Sequence, residues 1–259
     1  MTLTDKYAYA SKLARVSPQA KMLFSLVPLL LCIILNSIAL STAIIIIMAV
    51  ATVKYGKMPL YRYIKFILLP LGFMLMGTLT ILINSFEAGH AVLAGLQAGG
   101  RVYGIDAASL AACARLVLKA LGAVSCMYFL SLNTPLSDLL QVLGRTRLPQ
   151  FIITLMELIY RYIFVLLEEA GRMLIAKDSR LGNISFRISL QSLGELASML
   201  FIRAYQRAGR LYAGLEARGY NGRFNTLELE YVKSGKMIAA AILTNTLLLV
   251  MGLAEKLLA

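Results

Sequence analysis

Five long runs of apolar residues, nearly free of charge, constrain the fold of this chain more than any other feature. They span 22–35, 38–53, 66–83, 107–132 and 237–253. A helix needs about 20 mostly apolar residues to cross the hydrocarbon of a bilayer, where it must also satisfy its own backbone hydrogen bonds. The hydrophobic share is 59%, against about 45–50% in soluble domains. The runs predict an all-α integral membrane protein with about five transmembrane helices.

Lysine and arginine residues beside these runs predict the orientation of the chain, because basic residues at span ends mark the cytoplasmic side. Those before the first run and around the loop after the second are Lys6, Lys12, Arg15, Lys21, Lys54, Lys57, Arg62 and Lys65. By contrast, 84–106 carries few charges and is predicted to lie on the outer side, with a loop over 95–104. The N-terminus shows no signal-peptide cleavage pattern, so it is expected to be retained and cytoplasmic in a cell-membrane protein.

Alternation of the runs places 133–233 in the cytoplasm and divides the chain into three parts. We predict four transmembrane helices in 1–132, a cytoplasmic domain with two long helices in 133–233, and a C-terminal transmembrane helix in 234–259. The cytoplasmic part holds thirteen of the 26 basic residues and nine of the 13 acidic residues. An anionic inner leaflet accounts for this positive charge, and no nucleic-acid-binding motif accompanies it, so no nucleic acid partner is expected.

The first half of this cytoplasmic part predicts a short helix followed by a long one. Pro135 suits the first turn of a helix that ends near position 143, and a helical pattern then covers 151–176. Residues 151–167 are apolar enough to be read as a sixth span. Two ionised groups within them, Glu157 and Arg161, would be costly in hydrocarbon, so we predict an amphipathic helix against the membrane.

A second long helix is predicted over 189–218, with two faces of different character. The arginines on one face are Arg203, Arg207, Arg210 and Arg218, and the apolar residues on the other are Leu200, Ala204, Ala208, Leu211 and Leu215. The first three arginines fit either a solvated surface near the inner leaflet or a partner contact. Arg218 differs, because Gly219 suits the left-handed end of a helix and lets another backbone approach. Its guanidinium is predicted to bind carboxylates or carbonyls in a partner's groove.

Two short motifs resemble those of a known family. The stretch Leu211-Tyr212-Ala213-Gly214-Leu215-Glu216-Ala217-Arg218-Gly219-Tyr220 resembles the second coupling signature of the T components of energy-coupling factor transporters, specifically the CbiQ family of cobalt transporters. Upstream, Ala176-Lys177-Asp178-Ser179-Arg180-Leu181-Gly182 resembles the first signature, although it reads Ser-Arg-Leu and not the commoner Ala-Arg-Gly. Two arginine motifs 38 residues apart, each ending a long helix, are more specific than either alone.

The resemblance implies a coupling subunit of an ATP-driven importer. Two copies of an ATP-binding cassette ATPase would each hold one helix end, and their closure would move the ends together. That motion would reach a separate substrate-binding (S) membrane subunit similar to CbiM/CbiN. The docking residues it implies are Ser179, Arg180, Leu181, Ala217, Arg218 and Gly219, supported by Pro135, Arg203, Arg207 and Arg210. Cobalt is the substrate it implies first, with nickel or a vitamin as alternatives.

Other activities find less support in the residues. No G-x-x-x-x-G-K-[ST] phosphate loop occurs, so the chain is not expected to bind ATP, and no catalytic residue or cofactor is predicted. The single histidine, His90, and the three cysteines show no metal-ligand spacing, so no metal site is expected. Two alternatives stay open. A lipid-modifying membrane enzyme needs convergent carboxylates or an activated nucleophile, and a secondary transporter needs paired ionisable groups in mid-membrane.

Overall fold

The computed structural model describes residues 3–82, 84–87, 94–98, 101–220, 231 and 235–258. Within these residues the chain forms nine α-helices and three short β-strands. The helices are α1 (Leu3–Ala10), α2 (Pro18–Leu35), α3 (Ile38–Val50), α4 (Leu60–Leu82), α5 (Ala107–Asn133), α6 (Leu136–Gly144), α7 (Gln150–Ser179), α8 (Phe186–Ala217) and α9 (Gly235–Leu258). The strands are β1 (Asn84–Glu87), β2 (Ala94–Ala98) and β3 (Arg101–Ile105). A 3-10 turn over Lys12–Arg15 precedes α2, and a π-helical turn over Ala51–Tyr55 continues α3.

By their internal contacts the residues divide into two compact units. The hairpin unit comprises Ser137–Leu229 and contains α7 and α8. The five-helix unit comprises Thr2–Leu136 with Glu230–Ala259, and its long helices are α2, α3, α4, α5 and α9.

The five long helices of the five-helix unit coincide with the five apolar runs, which confirms the predicted helical membrane fold. In the described part of the chain, six helices are long and apolar enough to cross a membrane, judged by length and composition alone. They are Pro18–Leu35, Ile38–Tyr55, Leu60–Thr80, Ser109–Asn133, Gln150–Ser179 and Met237–Glu255. The additional candidate, Gln150–Ser179, is α7, the helix that the sequence predicted to be amphipathic.

Aliphatic and small side chains form the core of the five-helix unit. Its main cluster of buried residues is Leu13, Cys32, Leu40, Ile44, Met48, Ala51, Cys126, Phe129 and Leu248. A Cβ added at Gly122 would lie 3.0 Å from Cys32 Sγ, so small residues let α5 and α2 approach closely. On α4, by contrast, Leu69, Phe73 and Met76 are 79%, 83% and 80% exposed. Such an apolar outer surface suits contact with lipid tails.

Side-chain contacts show that α2 and α5 are antiparallel. Near the start of α2, Ser25 Oγ donates to Cys126 O, towards the end of α5, at 2.7 Å. Just after α2 ends, Lys119 Nζ, in the first half of α5, donates to Asn36 Oδ1 at 3.2 Å. The start of α2 therefore lies beside the end of α5, as alternating spans require.

The last helix, α9, is parallel to α2. Asn245 Nδ2 donates to Leu23 O, near the start of α2, at 3.3 Å. Further along both helices, a Cβ added at Gly252 would lie 2.9 Å from Leu35 Cδ2. Residue numbers thus rise together along the two helices, so α2 and α9 begin on the same side of the five-helix unit.

The segment predicted to lie on the outer side contains a small antiparallel sheet. Its strand order is β1-β3-β2, with Asn84 opposite Gly104 and Ala94 opposite Ile105. The loop predicted over 95–104 was wrong where β2 and β3 lie, because their glycines hide the pattern and strand pairing depends on contacts across the chain. His90 lies outside the described residues.

Lys21 lies in a different environment from the one predicted for a basic residue that flanks a span. Because α2 already begins at Pro18, Lys21 belongs to the first turns of the helix. Its side chain is 0% exposed. Lys21 is therefore part of the packing of the five-helix unit and not a surface charge.

Candidate functional site

The helices α7 and α8 pack together as an antiparallel hairpin. Lys177 Nζ, near the end of α7, donates to Ser189 O, near the start of α8, at 3.4 Å. Earlier on α7, Glu169 contacts Arg203 and Arg207, further along α8. A groove between the helices is lined by Leu158, Ile159, Tyr162 and Leu166 of α7 and by Ala204, Arg207, Ala208 and Leu211 of α8. Three members of the apolar stripe predicted on α8 therefore face α7.

Hydrogen bonds hold the turn between α7 and α8 in one shape. Ser185 caps α8, because its Oγ accepts from Ile188 N at 3.3 Å. Asn183 bridges the two helices. Its Nδ2 donates to Asp178 Oδ1, and its Oδ1 accepts from Ser189 Oγ at 3.0 Å. The end of α7 is thereby held against the start of α8.

The first arginine motif forms the C-terminal end of α7, where Arg180 is the C-cap. Leu181 follows it in the left-handed conformation, with a φ of 60°. Leu181 N donates to Asp178 O and Gly182 N donates to Lys177 O, each at 3.1 Å. This pair of bonds is the Schellman motif, which closes a helix by satisfying two of its last carbonyl groups.

The second arginine motif closes α8 with the same backbone pattern. Arg218 is the C-cap, and Gly219 follows with a φ of 70°, which confirms the left-handed glycine predicted there. Gly219 N donates to Glu216 O and Tyr220 N donates to Leu215 O, each at 3.0 Å. These bonds join the same positions relative to the arginine as in the first motif.

The two motifs are therefore structurally equivalent, although Ser-Arg-Leu and Ala-Arg-Gly share only the arginine. The equivalence supports Arg180 as the counterpart of Arg218. It also pairs the neighbouring residues, Ser179 with Ala217 and Leu181 with Gly219. Because α8 has 32 residues, at about 1.5 Å each, its two ends lie about 48 Å apart. Arg180 at the turn and Arg218 at the far end of α8 thus mark opposite ends of the hairpin.

Both motifs are open to a partner. All six predicted docking residues are exposed, namely Ser179, Arg180, Leu181, Ala217, Arg218 and Gly219. Within the described residues, neither Arg180 nor Arg218 makes a side-chain hydrogen bond or an ion pair. A guanidinium offers five N–H donors in a planar fork that matches carboxylates. Each helix end can therefore present an unengaged fork to acidic or carbonyl groups of another chain.

Leu181 is strained where Gly219 is not, because a Cβ disfavours the left-handed conformation by roughly 1–2 kcal/mol. We expect Leu181→Gly to stabilise the hairpin unit by about 0.5–1 kcal/mol, since the entropy cost of glycine offsets part of this strain. The measurement is the thermal unfolding midpoint of the purified full chain in detergent. As a control, Leu190→Gly replaces an exposed leucine inside α8 and is expected to destabilise by about 1 kcal/mol. A lower midpoint for both variants would contradict the left-handed turn at Leu181.

Two of the supporting arginines contact the neighbouring helix. Arg203 Nη1 lies 2.8 Å from Glu169 Oε1, and Arg207 Nη1 lies 3.7 Å from Glu169 Oε2. Glu169 is 17% exposed, whereas Glu168 is 72% exposed and faces Arg172 on its own helix. Adjacent residues on a helix lie about 100° apart, so the sequence predicts that Glu168 and Glu169 face different directions, and their different partners confirm it.

The remaining supporting residues, Arg210 and Pro135, have other surroundings. Arg210 is exposed and, in the part of the chain that the structure describes, makes no ion pair. Pro135 lies between α5, which ends at Asn133, and α6, which begins at Leu136, so the predicted short helix is confirmed. A proline cannot donate a backbone hydrogen bond to continue α5. Pro135 therefore marks the connection between α5 and α6 and is far along the chain from both arginines.

Fold and site together define a class of protein: a multi-pass α-helical membrane protein with a hairpin whose two helix ends each carry an exposed arginine. Among the described residues, no group of three or more His, Cys, Asp and Glu side chains is placed to hold a metal ion. The profile of the CbiQ family, described as cobalt transport protein, matches residues 10–228. The chain belongs to the CbiQ family and is a membrane component of that transport class.

Similar proteins carry the name of this family. The cobalt transport protein CbiQ of Salmonella typhimurium is 29% identical over 225 residues, which are 87% of this chain and 100% of that protein. The CbiQ of Rhodobacter capsulatus is 33% identical over 189 residues, 73% of this chain and 72% of that protein. A putative fused cobalt transport protein CbiMQ of Methanocorpusculum labreanum is 32% identical over 220 residues, 85% of this chain and 37% of the fused protein.

Proposed function

We propose that this chain is the transmembrane coupling (T) subunit of an energy-coupling factor importer for cobalt. The observation that carries the proposal is the pair of equivalent arginine motifs at opposite ends of one hairpin. A two-fold symmetric ATPase dimer presents the same surface twice, so it calls for two equivalent ligands at a fixed separation. Arg180 and Arg218 meet that requirement within a single chain.

In this mechanism each helix end binds one ATPase copy. Ser179, Arg180 and Leu181 enter the groove of one copy, and Ala217, Arg218 and Gly219 enter the groove of the other. The small residue before each arginine and the tight turn after it let the walls of a groove come close. ATP-driven closure moves both ends at once, and because α8 keeps them a fixed distance apart, the packed helices move as one body.

The supporting residues have separate tasks in the proposal. Arg203 and Arg207 hold α8 on Glu169, so that movement at either end reaches the whole hairpin. Arg210 adds positive charge to the exposed side of α8 near its second end. Pro135 marks the place where the chain leaves the spans and turns towards the hairpin.

The directions of the spans support a cytoplasmic hairpin. Because α5 is antiparallel to α2 and α9 is parallel to it, α5 ends on the side where α2 and α9 begin. The chain between α5 and α9 leaves and returns on one side, which requires an even number of crossings. Within the described residues α7 is the one candidate span between α5 and α9. If α7 crossed the membrane, the number of crossings in this interval would be odd. The basic residues that precede α2 and α4 favour the cytoplasm for that side.

The names of the relatives support cobalt as the substrate, ahead of nickel or a vitamin. Two are called cobalt transport protein CbiQ, and the name of a third joins CbiM to CbiQ. We propose that a separate S subunit similar to CbiM, with a CbiN-like protein, holds the metal ion. Two copies of an ATPase subunit hydrolyse ATP, and this chain performs no catalysis.

The enzyme alternative lacks a carboxylate pair at the candidate site. Glu168 faces Arg172 and Glu169 faces Arg203, so the two adjacent carboxylates serve different partners. Convergent acid and base groups are what a head-group transferase would need. The hairpin therefore favours a docking role over a chemical one.

The test is to purify the tagged chain together with candidate ATP-binding subunits and to map the contact by photocrosslinking. A photoreactive amino acid is placed at position 179, 217 or 197. Position 197 lies at an exposed alanine in the middle of α8 and serves as the control. We expect the ATPase to co-purify, and to crosslink from 179 and 217 but not from 197. No association would contradict the coupling role, and crosslinking from 197 alone would contradict the docking residues.

A further inference from the structure

Among the described residues, Lys21 is the largest fully buried side chain, and it is ionisable. Its Nζ donates to Leu13 O at 3.0 Å and to Asn133 O at 3.1 Å. A buried ammonium is costly unless its N–H groups are satisfied. Here the lysine binds two backbone carbonyl groups, one in the 3-10 turn before α2 and one at the last residue of α5.

Asn133 is the centre of the same arrangement. It is 1% exposed, its Oδ1 accepts from Ser11 Oγ at 3.0 Å, and its Nδ2 donates to Phe129 O at 2.9 Å. A Cβ added at Gly56 would clash with the Asn133 side chain, so the backbone after α3 also lies against it. The end of α5 is thereby fixed by the segment before α2, by α2 itself and by the end of α3.

The position of this cluster along the chain gives it a consequence for coupling. Thr134 N makes the last backbone bond of α5, to Leu130 O at 3.0 Å, and Pro135 and α6 follow at once. The cluster around Lys21 therefore holds the residue from which the chain leaves the spans for the hairpin. A cation at this place also complements the partial negative charge at the C-terminus of α5.

We propose that Lys21 is a positioning residue for coupling, a role that rests on the proposed T-subunit function. By clamping the carbonyl end of α5, Lys21 makes the connection at 133–135 stiff. Movement that arrives through the connection then displaces the spans together. Without the clamp, the end of α5 bends on its own and the movement is lost, although the ATPase still binds and turns over.

The test uses the reconstituted complex of the full chain with its ATPase and S subunits, and measures cobalt uptake and ATP hydrolysis in the same vesicles. Lys21→Met keeps the length of the side chain but removes its hydrogen bonds. We expect uptake per ATP hydrolysed to fall about tenfold, within the range by which remote residues alter coupling. Co-purification of the ATPase stays at the wild-type level. A purely structural defect lowers uptake and hydrolysis together and leaves their ratio unchanged.

Two further variants keep the proposal testable if Lys21→Met does not fold. Ser11→Ala removes one bond to Asn133 and is expected to lower the ratio about threefold. Lys119→Met is the control, because it removes a lysine bond that joins the middle of α5 to the residue after α2, away from the end of α5, and its ratio should equal the wild type. The inference is overturned if Ser11→Ala, and Lys21→Met where it folds, leave uptake per ATP hydrolysed unchanged. It is also overturned if Lys119→Met lowers that ratio equally. If the wild-type chain does not bind the ATPase, the proposed T-subunit function is itself wrong.

Discussion

Replacing both Arg180 and Arg218 by alanine is expected to abolish ATP-driven cobalt uptake while the chain still folds in the membrane. Both side chains are exposed and make no ion pair within the described residues, so their removal leaves the hairpin intact. In a partner's groove, truncating one member of a buried charge pair costs about 2–5 kcal/mol. Loss at both ends therefore lowers the affinity for the ATPase by more than about a thousandfold. The measurements are uptake and the amount of ATPase recovered per chain.

The single variants are expected to lose less than the double variant, because in the proposed coupling role the two helix ends would act as one bivalent ligand. Arg218→Ala leaves the Arg180 end bound and should reduce recovered ATPase without removing it. Arg172→Ala is the matched control. Its side chain is 71% exposed and lies 4.0 Å from Glu168, and such surface pairs contribute about 0–1 kcal/mol. Full uptake by the double variant, or an equal loss in Arg172→Ala, would show that the arginine motifs are not the docking site.

Replacing Glu169 by glutamine is expected to uncouple the two halves of the hairpin. Glutamine keeps the size of the side chain but loses the charge that attracts Arg203, at 2.8 Å, and Arg207, at 3.7 Å. With weaker attraction, α7 and α8 move more independently, and less of the movement at the helix ends is transmitted. We expect uptake to fall about three- to tenfold while the ATPase remains bound. Uptake and the spread of distances between spin labels on α7 and α8 measure the two effects.

Glu168→Gln is the matched control for this prediction. Glu168 adjoins Glu169 in sequence but is 72% exposed and faces Arg172 on its own helix. The same chemical change there should leave both uptake and the distance distribution unchanged. A double variant with Arg203→Ala should lose no more than Glu169→Gln alone, because both changes remove one shared contact. Additive losses would show that Glu169 and Arg203 act separately.

Much of the fold follows from the order of the residues. The five apolar runs predict where the long helices of the five-helix unit lie, because a helix of about 20 residues satisfies its own backbone within hydrocarbon. Local chemistry also fixes the end of α8, where Gly219 adopts the left-handed conformation with φ of 70°. These features depend on residues close together in sequence, so pattern and composition suffice to predict them.

Other features depend on pairs of residues that are distant in sequence. Lys21 reads as a basic residue at a span end, and only its bonds to Leu13 and Asn133 show that it is buried. Glu169 reads as one of two adjacent carboxylates, and only the packing of α7 on α8 selects it as the partner of Arg203. Neither assignment follows from periodicity, because each depends on which helix faces which.

The amino-acid sequence alone predicts a helical membrane protein with two arginine motifs, because hydrophobic length and helix-end chemistry are local properties. Only the folded structure shows that the two motifs share one backbone geometry, Leu181 matching Gly219, and that they lie at opposite ends of one antiparallel hairpin. Only the folded structure also shows which charges hold helices together. Those outcomes depend on packing between residues far apart along the chain, and no local pattern encodes them.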